Sequence, residues 1–417
     1  MKGRADMKRL FRRLKQQRGQ VFILFAGIFA VVMVIAVISL DFGLWLSERR
    51  GAQTDADLPA LAGAADLLVL NAGPAEAAAA EASVYEYVDF NDQSGNLGVE
   101  SLVVDDSCFA DNPRDRQGVP DSVTLDVSHD SGPLFAGIFG LAAPDIGAHA
   151  KACAGSLIAT TGLRPWTISR MCSDCFEWID DGDGVEEDTD TYIPLFGEDC
   201  VFRSDGKTET ESVVQPRCVG ESRSQVGSIR LGPDPADDCW ESSGGADYRE
   251  NITDGAGSWC QIDDVISTEP GFKTGPTKQG LEPLLAGEGE CDAKNCSGAG
   301  CDGIDQFRES FSPADAEPSP DVVYTPNDCT TPRVVNIVIM DKFDGNGIDH
   351  QPIRGFAAFF IQQCETVAGN GEITAYPKCD MGGSDFQIRG RFMRIIELGG
   401  AGGPMDPYGT QIIMLAE

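Results

Sequence analysis

The feature that most constrains this chain is an uncharged apolar run near its N-terminus, GQVFILFAGIFAVVMVIAVISL at residues 19–40. A bilayer core is about 30 Å thick, and a helix crosses it with about 20 apolar residues. The apolar core of a cleaved signal peptide is shorter, at about 7–15 residues, and a small-residue cleavage site follows it. The next residues, D-F-G-L-W, do not form such a site. We therefore favour an uncleaved transmembrane helix over a cleaved signal or a buried helix of a soluble protein.

The charges that precede the run predict its orientation. Residues 1–18 contain one acidic residue, Asp6, and eight basic residues: Lys2, Arg4, Lys8, Arg9, Arg12, Arg13, Lys15 and Arg18. The positive-inside rule keeps such a segment in the cytoplasm. We expect a single-pass protein of the cell membrane, with its N-terminus in the cytoplasm and everything after Asp41 outside, in the periplasm or at the cell surface.

The overall charge excludes one class of partner. The chain holds 66 Asp+Glu against 32 Lys+Arg, a formal net charge of −34. A surface this acidic repels the phosphates of nucleic acids and of anionic lipids, and it attracts cations. We therefore expect no nucleic-acid partner.

Cysteine usage supports an exported location. All 14 cysteines lie between Cys108 and Cys379. An even and dense set in an exported segment predicts a disulfide framework, whose connectivity the sequence leaves open. For the pair Cys172-x-x-Cys175 we favour structural disulfides over a redox pair or half of a zinc site, because the chain has no second CxxC. The group Cys291, Cys296 and Cys301 is interpreted in the same way, as part of a disulfide knot.

A helix is predicted to continue beyond the membrane. At about 100° per residue, one of its faces carries mainly small side chains: Phe42, Trp45, Ala52, Ala56, Ala60, Gly63 and Leu67. Small residues let two helices approach closely, so we predict a rod that packs on helices of partner proteins, with a plain tether as the alternative. We expect Pro59 to kink or weaken this helix, residues 71–74 to break it, and residues 75–90 to form a second helix.

Strands are predicted on both sides of a turn-rich middle. Alternating and β-branched residues indicate strands at residues 98–106, 121–130, 145–157, 334–340, 353–364, 386–396 and 410–416. Residues 133–141 favour a short apolar helix or turn. Little regular structure is predictable between about residues 170 and 330, where disulfides must supply much of the stability.

The opening segment also resembles a known family. It combines Arg18-Gly19 before the span, Asp41 at its outer end, and a helix with Arg49-Arg50, Gln53, Ala56-Asp57 and Ala60-Leu61-Ala62-Gly63-Ala64. This pattern resembles the N-terminal segment of TadE/TadG-like proteins of Tad (Flp) pilus assembly, although Pro59 stands where the family usually has alanine. Residues 123–154, 268–281 and 332–360 also look like parts of family members.

The resemblance implies a minor pilin-like or envelope-anchoring component of tight-adherence pili, and not an enzyme. The implied partners are other Tad/Flp pilus assembly proteins, contacted through the N-terminal helix, and a membrane that the chain crosses once. We expect no prepilin cleavage, because Leu24 stands at the fifth position after Gly19, where the family's pseudopilins have Glu. A von Willebrand A metal site is not expected at residues 126–130 either, because Asp130 replaces the second serine of its Asp-x-Ser-x-Ser motif.

Together these observations predict an α+β fold. A transmembrane helix extends into a pilin-like helix, and a mainly β, disulfide-rich ectodomain follows. We divide the chain into a cytoplasmic leader (1–18), a transmembrane helix (19–40), an extended helical stalk (41–90), a pilin-like α/β module (91–165), a disulfide-rich, turn-rich region (166–330) and a C-terminal β module (331–417).

Few residues suggest catalysis. The chain has three histidines, His129, His149 and His350, and no Gly-x-Ser-x-Gly motif. Ser128, His129 and Asp130 are sequence neighbours, and adjacency alone does not build a catalytic triad. We therefore predict that the chain is not an enzyme.

The acidic stretch WIDDGDGVEEDTD is the best candidate for a ligand site. Carboxylates are hard oxygen ligands for Ca²⁺, and glycines permit the tight turns of a binding loop. The candidate ligands are Asp181, Asp183, Glu186, Glu187 and Asp188. The EF-hand spacing fails, since placing Gly184 at the sixth position puts Ile179 at the first, so a solvated acidic loop is the alternative. A weaker candidate is formed by Asp341, Asp344, Asn346 and Asp349, and no other cofactor is expected.

The function that these features favour is structural or adhesive. We predict a membrane-anchored structural component of Tad/Flp-type pilus assembly or adhesion at the cell envelope. The alternatives are a Ca²⁺-binding exported surface adhesin without a pilus and, less favoured, an exported enzyme.

Overall fold

The structure is a computed structural model. It describes residues 3–416 except for 93–96, 130–131, 133–134, 136, 138–143, 172, 181–189, 204–226, 233–238, 240–243, 270–272, 287–306, 309, 315–317, 321, 328–330, 343–347, 368–371, 377–378, 380–385 and 398–400.

The described residues form four helices and 19 strands. The helices are α1 (Gly3–Asp66), α2 (Pro74–Asn91), α3 (Gly245–Thr253) and α4 (Thr274–Ala286). The strands are β1 (Leu97–Asp105), β2 (Ser122–His129), β3 (Ile146–Thr160), β4 (Thr167–Ser169), β5 (Phe176–Ile179), β6 (Thr191–Pro194), β7 (Cys200–Arg203), β8 (Ile229–Arg230), β9 (Cys260–Gln261), β10 (Val265–Thr268), β11 (Phe311–Ser312), β12 (Val323–Pro326), β13 (Val334–Met340), β14 (His350–Pro352), β15 (Gly355–Val367), β16 (Ile373–Tyr376), β17 (Gln387–Glu397), β18 (Ala401–Gly403) and β19 (Thr410–Ala416).

The two N-terminal helices are joined by a tight turn. Helix α1 is 64 residues long and continues through Pro59, which therefore does not end it. Helix α2 starts with Pro74 at its first turn, where a proline costs no backbone hydrogen bond. The Glu76 carboxylate accepts a hydrogen bond of 2.8 Å from the Gly73 N–H, which satisfies a donor that the helix itself leaves free. The predicted break at residues 71–74 and the second helix after it are thus confirmed.

One large sheet links the beginning and the end of the globular part. Its main path runs β1-β2-β3-β19-β17-β15-β13-β4. The β1-β2-β3 meander is antiparallel throughout. The C-terminal strand β19 pairs antiparallel with β3 and parallel with β17. The sheet therefore continues without a break from the N-terminal meander into the C-terminal strands.

Two of the four buried hydrophobic clusters among the described residues differ clearly in composition. Between α1, α2 and the meander, the buried residues are mainly alanine and valine: Ala56, Ala60, Ala64, Leu67, Leu68, Ala80, Val84, Val88, Val123, Leu125, Val127, Ala150, Ala152 and Ala154. Around β13, β15 and β17 the buried residues include large aromatic side chains: Trp166, Phe176, Tyr192, Phe359, Phe392 and Tyr408. We call the first set the alanine core and the second the aromatic core.

The α+β prediction is confirmed, with a long apolar N-terminal helix followed by a mostly β part. The strands predicted at residues 334–340 and 410–416 have the observed bounds. The expectation of little regular structure in the turn-rich middle is wrong for α3 and α4, which pack on each other. Helix α4 contains Gly275, Gly280 and Pro283, which are poor helix formers, so packing here overrides local propensity.

Candidate membrane anchor and its junction with the sheet

The first part of α1 presents apolar side chains to its surroundings. Among the described residues, this is the one helix that is long and apolar enough to cross a membrane, and none of its most apolar stretch is buried in the protein. Large apolar side chains stay exposed from Phe22 to Leu46. Such a surface is stable in lipid and costly in water, since about 25 cal/mol is lost for each Å² of apolar area left in water.

The second part of α1 lies against the protein's own sheet and α2. Ala52, Ala56 and Ala60 are fully buried, and the last two belong to the alanine core. At Gly63 an added Cβ would come 2.7 Å from Val84 Cγ2 and 3.0 Å from the Ala80 carbonyl oxygen. The prediction that this small-residue face packs on partner proteins is therefore wrong for these positions. The small side chains serve close approach within one chain, which the sequence pattern does not distinguish from packing between chains.

Hydrogen bonds hold the C-terminal end of α1 against the rest of the protein. The Gln411 side-chain amide donates a hydrogen bond of 2.9 Å to the Leu68 carbonyl. The Arg116 guanidinium donates to the Leu70 carbonyl and to Asn71 Oδ1, both at 2.8 Å. These bonds satisfy carbonyl groups at and beyond the helix end, and they hold the helix end at one position on the sheet.

Asp41 forms the junction at the membrane end of the packed region. Its side chain is 1% exposed, and its two carboxylate oxygens lie 3.1 and 3.3 Å from the backbone nitrogen of Phe135. Phe135 lies in the connection between β2 and β3, 94 residues further along the chain. An isolated buried carboxylate is costly, and hydrogen bonds to backbone N–H groups reduce that cost. Asp41 therefore ties the exposed apolar part of α1 to the sheet at one defined position.

A polar groove of about 760 Å³ lies beside α1 just above this junction, and its lining includes Arg49 and Gln53. The Gln53 amide donates to the His149 carbonyl at 2.9 Å. His149 Nδ1 lies 2.7 Å from one oxygen of Asp126, and Ser101 Oγ donates to the other at 2.6 Å. The hydrogen bonds from Ser101 and then His149 lower the pKa of Asp126.

This arrangement does not activate a nucleophile. In a catalytic triad the serine hydroxyl is hydrogen-bonded to the histidine, whereas here both Ser101 and His149 bond to Asp126. Ser128, the serine of the sequence motif at residues 126–130, bonds to Glu100 instead. These residues cross-link neighbouring strands of the meander.

A second charged cleft, of about 480 Å³, lies where β3 meets the C-terminal strands. Arg170 Nε bonds to Asp341 Oδ1 at 2.6 Å, and Arg354 Nε bonds to Asp341 Oδ2 at 2.7 Å. The prediction that Asp341 is a Ca²⁺ ligand is therefore wrong, because both of its carboxylate oxygens are hydrogen-bonded to guanidinium groups. Asp344 and Asn346 lie outside the described residues, while Asp349 accepts bonds from the His350 N–H and the Gln351 amide.

Asp406 and Tyr408 line the same cleft. Asp406 Oδ1 accepts a hydrogen bond of 2.8 Å from the Tyr408 N–H, and Asp406 Oδ2 is buried without a hydrogen-bond partner among the described atoms. Burial raises the pKa of Asp406 to about 7. Burial also raises the pKa of Tyr408 to about 12, so its hydroxyl stays neutral while it accepts a bond of 3.1 Å from Arg170.

Eight of the cysteines lie among the described residues, and all of these are paired. The pairs are Cys108–Cys153, Cys175–Cys200, Cys239–Cys260 and Cys364–Cys379. Cys175 bonds to Cys200 and not to Cys172 of its CxxC motif, which supports the structural interpretation over a redox pair. Cys172, Cys291, Cys296 and Cys301 lie outside the described residues.

The predicted Ca²⁺ ligands Asp181, Asp183, Glu186, Glu187 and Asp188 lie outside the described residues. Within the described part of the chain, no group of three or more His, Cys, Asp or Glu side chains is arranged to hold a metal ion.

Comparison with known proteins bears on the membrane end of the molecule. Residues 19–66 match the family model described as Putative Flp pilus-assembly TadE/G-like. No curated protein and no solved structure matches the chain. The matched segment contains the exposed apolar part of α1, Asp41 and the part of α1 that packs on the sheet. The family resemblance of the opening segment is confirmed over those residues.

Proposed function

We propose that this chain is a membrane-anchored structural component of Tad/Flp-type pilus assembly at the cell envelope. The observation that carries the proposal is that the family match and helix α1 end together, at residue 66. The matched residues 19–66 contain the exposed apolar part of α1 and its packed continuation. A segment with this pattern serves as an anchor that holds a folded domain at a fixed height above a membrane.

The proposed orientation puts the N-terminus in the cytoplasm and the sheet outside. The basic leader supports it through the positive-inside rule. The four disulfides among the described residues support it too, because disulfides persist in oxidising compartments and are rare in the cytosol. Protease added to spheroplasts should digest the sheet and leave a short N-terminal membrane fragment. Protection of the sheet in intact spheroplasts would contradict this orientation.

Contacts with other pilus assembly proteins through α1 are proposed for its exposed apolar part, since its own sheet and α2 cover the small-residue face above Asp41. Gly27 lies in the exposed part, and no other atom lies within 4 Å of the Cβ that a substitution would add there. Gly27→Leu should therefore leave folding intact while blocking close approach of a second helix. Ile28→Leu, on the same exposed part, is the matched control.

The test of pilus function is deletion and complementation in the native host. Deleting the gene should abolish surface pili in electron micrographs, and the wild-type chain and Ile28→Leu should restore them. Gly27→Leu should lower both pilus number and the recovery of pilus assembly proteins with the tagged chain. Unchanged pili in the deletion strain would contradict the proposed function. Normal recovery with Gly27→Leu would contradict only the contact through α1.

The Ca²⁺ site at Asp181, Asp183, Glu186, Glu187 and Asp188 stays a prediction, as does the adhesin alternative linked to it. Isothermal titration of the full chain with CaCl₂ tests it directly. A stoichiometric site that Asp181→Asn and Asp183→Asn remove, and Asp199→Asn leaves intact, would support it. Heat changes that do not saturate would indicate a solvated acidic loop.

A further inference from the structure

The charged cleft of about 480 Å³, which lies where β3 meets the C-terminal strands, differs in charge from the molecule as a whole. The chain carries a formal net charge of −34. The described wall residues include four guanidinium groups, those of Arg114, Arg116, Arg170 and Arg354. The described carboxyl groups in or directly behind these walls are those of Asp190, Asp263, Asp341 and Asp406. These groups are balanced when every carboxyl group is ionised, and they carry a net positive charge when one is protonated.

Two of these arginines retain hydrogen-bond donors that the protein does not use. A guanidinium group has five N–H donors. Arg354 directs Nε and Nη2 to Asp341, and Arg114 pairs with Asp263 through Nη2. Nη1 of both arginines therefore stays available among the described residues, and the two side chains are 31 and 41% exposed. The Asp263 N–H bonds to the Ile353 carbonyl at 2.9 Å, which holds the Arg114–Asp263 pair close to Arg354. A group that accepts bonds from two guanidinium groups is an anion with more than one oxygen.

Asp406 is the carboxyl group whose protonation changes the charge of the cleft. Its Oδ2 is buried without a hydrogen-bond partner among the described atoms, and an unpaired buried carboxylate is costly. Burial raises the pKa of Asp406 to about 7, although the charges of Arg114 and Arg116 oppose this rise. Near neutral pH a large fraction of the molecules therefore holds Asp406 neutral. A bound anion favours this neutral form, because an ionised Asp406 would repel it.

Apolar side chains make up another part of the walls, namely those of Ile158, Pro404, Met405 and Pro407. A cleft of this volume accommodates an organic molecule of ordinary ligand size. We propose that the charged cleft binds a small organic carboxylate, whose oxygens accept hydrogen bonds from Arg114 and Arg354 and whose carbon skeleton packs on the apolar walls. The proposal is independent of the membrane anchor and of any role in a pilus.

Three ring compounds of similar shape test the charge of the ligand: benzoate, benzamide and benzamidinium. Saturation-transfer NMR measures the binding of each compound to the full chain in phosphatidylcholine nanodiscs at pH 6. We expect saturable binding of benzoate and at least about tenfold weaker binding of the other two, because hydrogen bonds to a charged group are stronger than those to a neutral one. Absence of saturable benzoate binding, or equal binding of benzamidinium, would overturn the proposal. Tighter binding of inorganic phosphate than of benzoate would overturn it in favour of a phosphate site.

Two arginine variants test whether benzoate binds in the cleft. Arg114→Gln should weaken benzoate binding by about fivefold, through the loss of a charge-assisted hydrogen bond. Arg249→Gln is the matched control, because Arg249 is an exposed arginine of α3 that does not line the cleft, and it should leave the affinity unchanged. Equal affinities of the two variants would show that benzoate binds elsewhere and would overturn the proposal.

Asp406→Asn supplies a test that a loss of folding does not imitate. In wild type the affinity for benzoate should fall by about fivefold to tenfold between pH 6 and pH 8, because Asp406 is mainly neutral below its pKa of about 7 and mainly ionised above it. The described walls of the cleft contain no histidine or cysteine, whose ordinary pKa values lie in or near this range. In Asp406→Asn the affinity should stay within about twofold over the same range. An equal fall in both proteins would overturn the proposal, because benzoate would then respond to a group outside the cleft.

Discussion

The alanine core and the aromatic core cover two ends of one continuous sheet, and they achieve stability differently. In the alanine core, α1 and α2 approach the meander closely because the facing side chains are small. In the aromatic core, rings fill the space, as where Phe392 lies 5.3 Å from both Phe176 and Phe359, measured between centroids. Each alanine buries little apolar area, so the first core depends on close fit, whereas the second depends on the volume of its rings.

Covalent and ionic links follow the same division. One described disulfide, Cys108–Cys153, touches the meander, while the other three lie in the remaining part of the fold. Glu365 is a buried residue of β15, and its side chain bonds to Gln387 and Arg389 of the neighbouring strand β17. Burial alone would raise its pKa, but hydrogen bonds from Arg389, Gln387 and Gln363 outweigh burial and lower it. Substitutions that add atoms should therefore destabilise the alanine core, whereas substitutions that remove atoms should destabilise the aromatic core.

The largest effect is expected from removing a ring from the aromatic core. Phe392→Ala leaves a cavity between Phe176 and Phe359 and should lower the free energy of unfolding by about 3–5 kcal/mol. Urea unfolding of the purified chain measures this loss, with Tyr87→Ala as the control because Tyr87 is half exposed on α2. Equal losses of unfolding free energy in the two variants would show that the aromatic rings around β17 do not stabilise this end of the sheet.

A smaller loss is expected from adding atoms to the alanine core. Gly63→Val places a side chain where even a Cβ comes 2.7 Å from Val84, and overpacking of this kind costs about 1–3 kcal/mol. The matched control is Ala65→Val on the exposed side of the same helix, which should lose only a few tenths of a kcal/mol. If Gly63→Val is as stable as Ala65→Val, the close contact of α1 and α2 is not what stabilises this end.

The last effect appears only when the pH is changed. The folded-state pKa of Asp406 is raised to about 7, so the folded protein binds a proton more tightly than the unfolded chain does. The stability from this group is complete below the unfolded pKa of about 4, and it is lost as the pH rises to about 7, at no more than about 1.4 kcal/mol per pH unit. Asp406→Asn should therefore match wild type at pH 4 and be more stable at pH 8. A stability difference that does not change with pH would contradict the assignment of this dependence to Asp406.

The elements that were predicted correctly from the sequence are those that a local residue pattern encodes. The strand at Val334–Met340 is a run of apolar and β-branched residues, and the long apolar N-terminal helix follows from the length of the uncharged run alone. Which strands and side chains lie next to each other in the fold is not encoded by local patterns. Strand β19 lies between β3 and β17, and Phe135 meets Asp41 across 94 residues, with no short motif to mark either contact.

Two sequence patterns led to wrong predictions, because the same residues fit two different environments. The small-residue face around Ala56 and Gly63 suits packing on a partner as well as on the protein's own sheet, and only the position of α2 and the meander distinguishes them. Asp341 stands in a sequence that resembles a cation-binding loop, but Arg170 and Arg354, distant in sequence, approach it in the folded chain. The alternating apolar residues of β2 and β3 were a usable signal that a sheet face needed a helix to cover it.

The central claim is that α1 has two parts with different surroundings: an exposed apolar first part, for which we propose a lipid environment, and a second part covered by the chain's own α2 and sheet. The double variant Gly63→Cys/Val84→Cys tests it most directly, because a Cβ at position 63 lies beside the Val84 side chain. After oxidation of the full chain in membranes, peptide mapping should show residue 63 linked to residue 84 of the same molecule, and non-reducing gels should show a monomer. Links between two molecules, or two free thiols in a folded protein, would contradict the claim and restore a rod that packs on its neighbours.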